Sequence, residues 1–162
     1  MAAKEMNFRE IEPELMKPEA LTDYIVKTHH KYLKKALPET HALFLIILKV
    51  HGPNHPELFE VFKLFGRLKT DMEQLMIREE MMLFPAIEDG DKAAAGALAA
   101  GIIKEHTGVV GLLKKIRAAS HNYALPSDAC ESYTKLYKTI PEIEEDVRQQ
   151  FQIEKDFLKR EL

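Results

Sequence analysis

The apolar residues of this chain recur at helical spacing, and strand-like alternation is absent. Leu68, Met72, Leu75, Met76, Leu83 and Ala86 form one stripe of a long helix. Val26, Leu33 and Leu37 form another, followed by Phe44 and Leu48. Ile102, Val109, Leu113 and Ile116 share a third face, and Ile140, Ile143, Val147 and Leu158 a fourth. The breaks between stripes set the expected boundaries. Pro18 suits a first helical turn, so a helix is expected from there to about Lys35. Leu37-Pro38 then starts a second segment, which stops at HGPNHP. Asn54 is a plausible N-cap for a long helix from about His55 to Glu88. EDGDKAAAG reads as a linker, and ALAAGIIKEHTGVVGLLKKIRAASHN as the next helix. LPSDACESY opens the last helix, where Pro141 predicts a bend. Residues 1–17 are mixed and carry Pro13, which predicts an N-terminal arm. Residues 18–162 are expected to form an all-α, antiparallel up-and-down four-helix bundle.

Several polar residues break into these stripes. His30 lies in phase with Val26, Leu33 and Leu37, and His51 follows Phe44 and Leu48. Glu79 continues the Met72 and Met76 stripe, while Glu80 falls about a quarter-turn away. His106 is in phase with Ile102 and Val109, and Gln150 and Glu154 are in phase with Val147 and Leu158. Any one of them has an ordinary reading as a hydrogen-bonded core group, or as a surface group on a slightly rotated helix. Together they carry more weight, because a buried carboxylate is costly unless a cation or donors receive it. Imidazoles and carboxylates converging from facing helices make the ligand set of a bundle-core metal site. His29 and Glu80 adjoin this set but point elsewhere; His41, His55 and His121 read as loop or surface residues. Met72, Met76, Met81 and Met82 read as packing.

Composition narrows the partners. A net charge of -3 gives no electrostatic case for nucleic acid or an anionic membrane. LFLIILKV is too short to span a bilayer, and the opening residues are too polar for a secretory signal. The lone Cys130 excludes an internal disulfide framework, fits a reducing cytoplasm, and is expected to be an inert buried thiol.

The blocks YIVKTHHKYL, VHGPNHPEL, REEMMLFPAI, KEHTGVVGLLKKIR and YALPSDAC, in this order, resemble the hemerythrin-like di-iron proteins, specifically their iron–sulfur cluster repair branch. The resemblance runs from about residue 21 to 158. It implies that His30, His51, Glu79, His106 and Glu154 are metal ligands, with Glu79 and Glu154 bridging. It also implies a histidine four residues before each bridging glutamate, where this chain has Leu75 and Gln150. By the family's pairing, His30 would serve one iron, while His51 and His106 serve the other. The expected cofactor is therefore one or two non-heme irons, or another divalent metal. The function implied is restoration of iron–sulfur clusters after oxidative or nitrosative damage. A non-catalytic domain that binds or senses oxygen, nitric oxide or a metal ion is an alternative, as is a metal-depleted interaction domain. Two retained glutamates speak against the last, since a carboxylate pair without a cation repels itself. Whether the chain is an enzyme, and its oligomeric state, stay open.

Overall fold

A computed structural model describes residues 12–162, and the first eleven residues of the expected arm lie outside it. Helix α1 spans Pro18–Ile25 and passes through a π-helical segment, Val26–His30, into α2, Lys31–His51. Helix α3, Glu57–Arg78, passes through a second π segment, Glu79–Leu83, into the short α4, Phe84–Glu88. Helix α5 spans Lys92–Ala119 and α6 spans Glu131–Glu161. These make four rods joined by short connections, and no strand occurs among the described residues. In the ring of rods α2 packs on α3, α3 on α5, α5 on α6, and α6 back on α2. That closed ring of sequential neighbours is the expected up-and-down bundle.

The core follows the stripes. Leu33, Leu37 and Phe44 of α2 are fully buried, as are Leu58, Val61, Phe65 and Leu68 of α3. Ile116 of α5 and Leu136, Ile140, Ile143 and Val147 of α6 complete the interior. Each such side chain contributes about 1.5–3 kcal/mol by leaving water. The first half of α5 buries only small groups, Ala95 and Ala99, before Ile102.

Three expected boundaries are corrected. The first rod is not interrupted at Leu37-Pro38: α2 runs through Pro38 to His51. Pro38 is exposed, so the carbonyl it leaves without a partner, that of Lys34, lies on the solvent side of the helix. Asn54 does not cap α3, which begins at Glu57 after Pro56 with no side-chain cap. Asn54 instead sits in a turn, its N–H donating to the His51 carbonyl at 3.2 Å. The linker shrinks to 89–91: Gly90 takes φ +72°, the left-handed stop that favours glycine, and Asp91 caps α5 by accepting from the Ala94 N–H. Ahead of the bundle, a 3-10 turn, Pro13–Leu15, meets α6, where Arg160 donates to the Pro13 and Glu14 carbonyls.

Candidate metal centre

The two π segments face each other between the first and second rods, where His30 of one meets Glu79 of the other. A π turn widens the helix by one residue and re-aims the side chains that follow. In the first rod this lets consecutive His29 and His30 both be fully buried. His30 points to the second rod, while His29 Nδ1 lies 3.1 Å from Asp146 Oδ2 of α6. In the second rod Glu79 is fully buried, and the half-buried Glu80 turns toward the first rod. Glu80 Oε1 sits 2.7 Å from His30 Nδ1 and accepts from Lys34 Nζ at 2.7 Å.

Four elements converge on the Glu79 carboxylate. His30 Nε2 lies 3.0 Å from Glu79 Oε2, and His106 Nε2 of α5 lies 3.3 Å from Glu79 Oε1. His106 Nε2 is also 3.0 Å from Glu154 Oε2 of α6. Gln150 stands one turn before Glu154 and donates to its Oε1 at 2.8 Å. The same amide nitrogen is 3.4 Å from Glu79 Oε2 and 3.1 Å from His30 Nε2. Gln150 Oε1 is buried without a hydrogen-bond partner. Aromatic neighbours restrain both imidazoles: His106 stacks on Phe151 at 3.8 Å, and His30 lies parallel to Phe84 at 6.0 Å.

The electrostatics follow from packing two carboxylates into a dry core. Burial, then the charge of Glu154, pushes the Glu79 carboxyl well above its ordinary range. Burial also acts on Glu154, but His106 and His30 outweigh it and hold that carboxyl low. The two carboxyls therefore titrate as a coupled pair, each feeling the other's charge across the buried cluster. Burial depresses the His30 imidazolium, yet Glu79, Glu154 and Glu80 more than offset this and raise it.

Of the five residues expected to converge, the structure brings together His30, Glu79, His106 and Glu154. His51 does not join them. It is 21 residues from His30 on one uninterrupted rod, hence about 30 Å away at 1.5 Å per residue. The expected break at Pro38 would have allowed the second segment to fold back; the continuous rod does not. Gln150 Nε2, 3.1 Å from His30 Nε2, belongs to the same cluster as His30. Leu75 is buried one turn before Glu79 and offers no donor. Cys130 is also corrected: the thiol is exposed, at the N-terminus of α6, with Sγ 3.2 Å from His51 Nε2. The sequence reading missed two partners, Glu80 for His30 and Asp146 for His29. The doublets His29-His30 and Glu79-Glu80 were the available signal, because two adjacent polar residues near one stripe fit a π turn.

The donor set suits a metal ion. His30, Glu79 and Glu154 each present a ligand atom within 4.8 Å of the others, and His106 abuts both carboxylates. Two imidazoles and two carboxylates fit one divalent ion of the iron or manganese class, with the Gln150 amide nitrogen turned toward the same cluster. With leucine at 75, they do not supply two complete coordination spheres.

A family model described as Hemerythrin HHE cation binding domain matches residues 21–161. The chain is similar to the iron-sulfur cluster repair protein ScdA of Staphylococcus haemolyticus, 24% identical over 143 residues, covering 86% of this chain and 64% of that one. It is similar to the iron-sulfur cluster repair protein DnrN of Neisseria gonorrhoeae, 26% identical over 139 residues, covering 86% and 87%. It is also similar to the iron-sulfur cluster repair protein YtfE of Edwardsiella ictaluri, 28% identical over 138 residues, covering 85% and 62%. The chain therefore spans less than two thirds of the length of the ScdA and YtfE relatives.

Proposed function

The chain belongs to the hemerythrin HHE cation-binding family, and from that premise we propose that it is a non-heme iron protein holding a single divalent ion and serving the repair of iron–sulfur clusters under oxidative or nitrosative stress. One observation carries the metal reading: Glu79 and Glu154 are buried side by side and each meets His106 Nε2. Two carboxylates withdrawn from water this way cost several kcal/mol each unless a cation receives them. The relatives named above carry the repair reading, since all three are cluster repair proteins.

His30, His106, Glu79 and Glu154 would hold the ion, with the Gln150 amide donating to the Glu154 carboxylate beside it. When bound, the ion supplies a redox-active centre with open coordination positions. The protein's part is to orient and to enclose. Glu80, itself anchored by Lys34, fixes the His30 ring through Nδ1, which sets the tautomer that leaves Nε2 free to ligate. Phe151 and Phe84 hold the ring planes and exclude bulk water from them. A cleft lined by His106, Phe151, Lys114, Arg148 and Lys155 reaches the His106 edge, which leaves a route for a molecule the size of nitric oxide or oxygen. Leucine at 75 favours reversible binding or iron donation over two-electron chemistry, which is easier with two metals.

The test is metal analysis with electron paramagnetic resonance after expression in iron-rich medium. A single iron per chain and a mononuclear ferric signal are expected, both lost in Glu79→Gln. Two irons per chain, with the silent spectrum of a coupled ferric pair, would overturn the single-ion reading. Repair itself is read as recovery of a nitric-oxide-damaged iron–sulfur enzyme on addition of the loaded protein.

A further inference from the structure

About 30 Å along the first rod from the bundle centre, a second group of metal-binding side chains closes the end of the molecule. His51 and His55 stand four residues apart across the turn that ends α2, and the His55 N–H donates to the His51 carbonyl at 2.8 Å. From the opposite side comes the segment before α6, which contributes Asp128 and Cys130. His55 Nε2 lies 2.8 Å from Asp128 Oδ1, and His51 Nε2 lies 3.2 Å from Cys130 Sγ. His51, His55 and Asp128 each present a ligand atom within 4.8 Å of the others.

We propose that His51, His55, Asp128 and Cys130 form a second metal site, of zinc class, clamping the α2–α3 turn to the start of α6. Two imidazoles, one carboxylate and one thiolate are a tetrahedral zinc donor set. Metal–ligand bonds of about 2.0–2.3 Å place neighbouring donors roughly 3.3–3.8 Å apart. His51, His55 and Asp128 already present donors within 4.8 Å of one another, and Cys130 Sγ, 3.2 Å from His51 Nε2, joins them as fourth donor by rotating toward His55 and Asp128. The thiolate suits zinc better than the harder, oxygen-rich set around Glu79 does.

The surroundings support the assignment. His51 is buried, His55 half-buried, and Asp128 and Cys130 are exposed, so the ligands are anchored at one side and open to an entering ion at the other. Tyr133 of α6 stands edge-on to both rings, 5.1 Å from His51 and 6.1 Å from His55, and fixes their planes. The Tyr133 N–H already points to Cys130 Sγ at 3.5 Å, a donor that stays with the sulfur when it ligates. Binding transfers the thiol proton to solvent as the thiolate forms, so proton release accompanies uptake. The proposal uses none of the bundle-centre residues and stands or falls apart from them.

Cobalt(II) is the probe, titrated into the full chain kept reduced with a phosphine. A thiolate-to-cobalt charge-transfer band saturating at one ion per chain is expected. Zinc should bleach it and Glu79→Gln should leave it intact. Cys130→Ser should abolish the band, and His55→Ala should weaken cobalt binding by about a hundredfold. Circular dichroism of each variant establishes that the bundle is kept; Cys130 is exposed, so that variant remains informative if His55→Ala does not fold. Absence of a thiolate band in wild type, or a band unchanged by Cys130→Ser, overturns the site.

Discussion

The Glu79 carboxylate is the residue on which the reading turns, and it makes a sharp prediction. In the metal-free protein burial first, and then the charge of neighbouring Glu154, pushes its proton affinity up. Glu79→Gln keeps the shape and removes one member of the repelling pair, so metal-free stability should hold or rise by up to about 1 kcal/mol. The iron-dependent rise in melting temperature should disappear. Calorimetry of wild type and variant with and without ferrous iron checks both parts. A large loss of metal-free stability would mean that Glu79 is a structural hydrogen-bonding residue. Phase with an apolar stripe marks His30, Glu79, His106 and Glu154 as inward-facing, so the direction of each was legible in the sequence. His51 has the same phase yet lies at the far end of its rod. Phase reports which way a side chain points and says nothing of its height along the bundle.

Height is a property of elements, and there the legible part was the set of rods rather than their ends. Proline inside a helix costs about 3 kcal/mol, which predicts a break at Pro38. In the structure its unpaired partner carbonyl is on the wet side, and the buried Leu33, Leu37 and Phe44 hold the rod together across it. The two π segments had no distinct signature beyond their polar doublets, since a one-residue widening leaves the apolar period nearly unchanged on either side. Helix α5 was readable in spite of its glycines, and the structure says why they are tolerated. Gly101 and Gly108 are exposed, and a Cβ added at either would meet nothing within 4 Å. Their only contribution is unfolded-state entropy, so Gly101→Ala and Gly108→Ala should each stabilise by about 0.5–1 kcal/mol. The two sites are seven residues apart on one face without shared partners, so the gains should add. Denaturant unfolding of both single variants and the double checks this. A loss at either position would indicate a neighbour on that face.

At the scale of the whole molecule, all four rods supply a polar group to a common point in the bundle interior. His30 comes from the first rod, Glu79 from the second, His106 from α5, and Glu154 with Gln150 from α6. An ion bound there belongs to the folded state alone, because the unfolded chain cannot assemble ligands spread over 125 residues. At a hundredfold excess over its dissociation constant it adds about 2.7 kcal/mol, or roughly 5–10 °C for a chain of this size. The same logic says what restoring the missing donors should do. Leu75 and Gln150 each stand one turn before a site carboxylate, and residues four apart share a helix face. Without iron, Leu75→His exchanges a fully buried aliphatic group for a polar one lacking a partner, at about 2–4 kcal/mol. Gln150→His already points into the centre and should cost less. With iron, both imidazoles gain a cation, so the double variant should bind two irons per chain where wild type binds one. Its melting temperature should fall below wild type when iron-free and rise by more than wild type's on loading. Iron stoichiometry and melting curves for wild type, both singles and the double decide it. If the double variant takes up no more iron than wild type, Leu75 and Gln150 do not occupy vacated ligand positions.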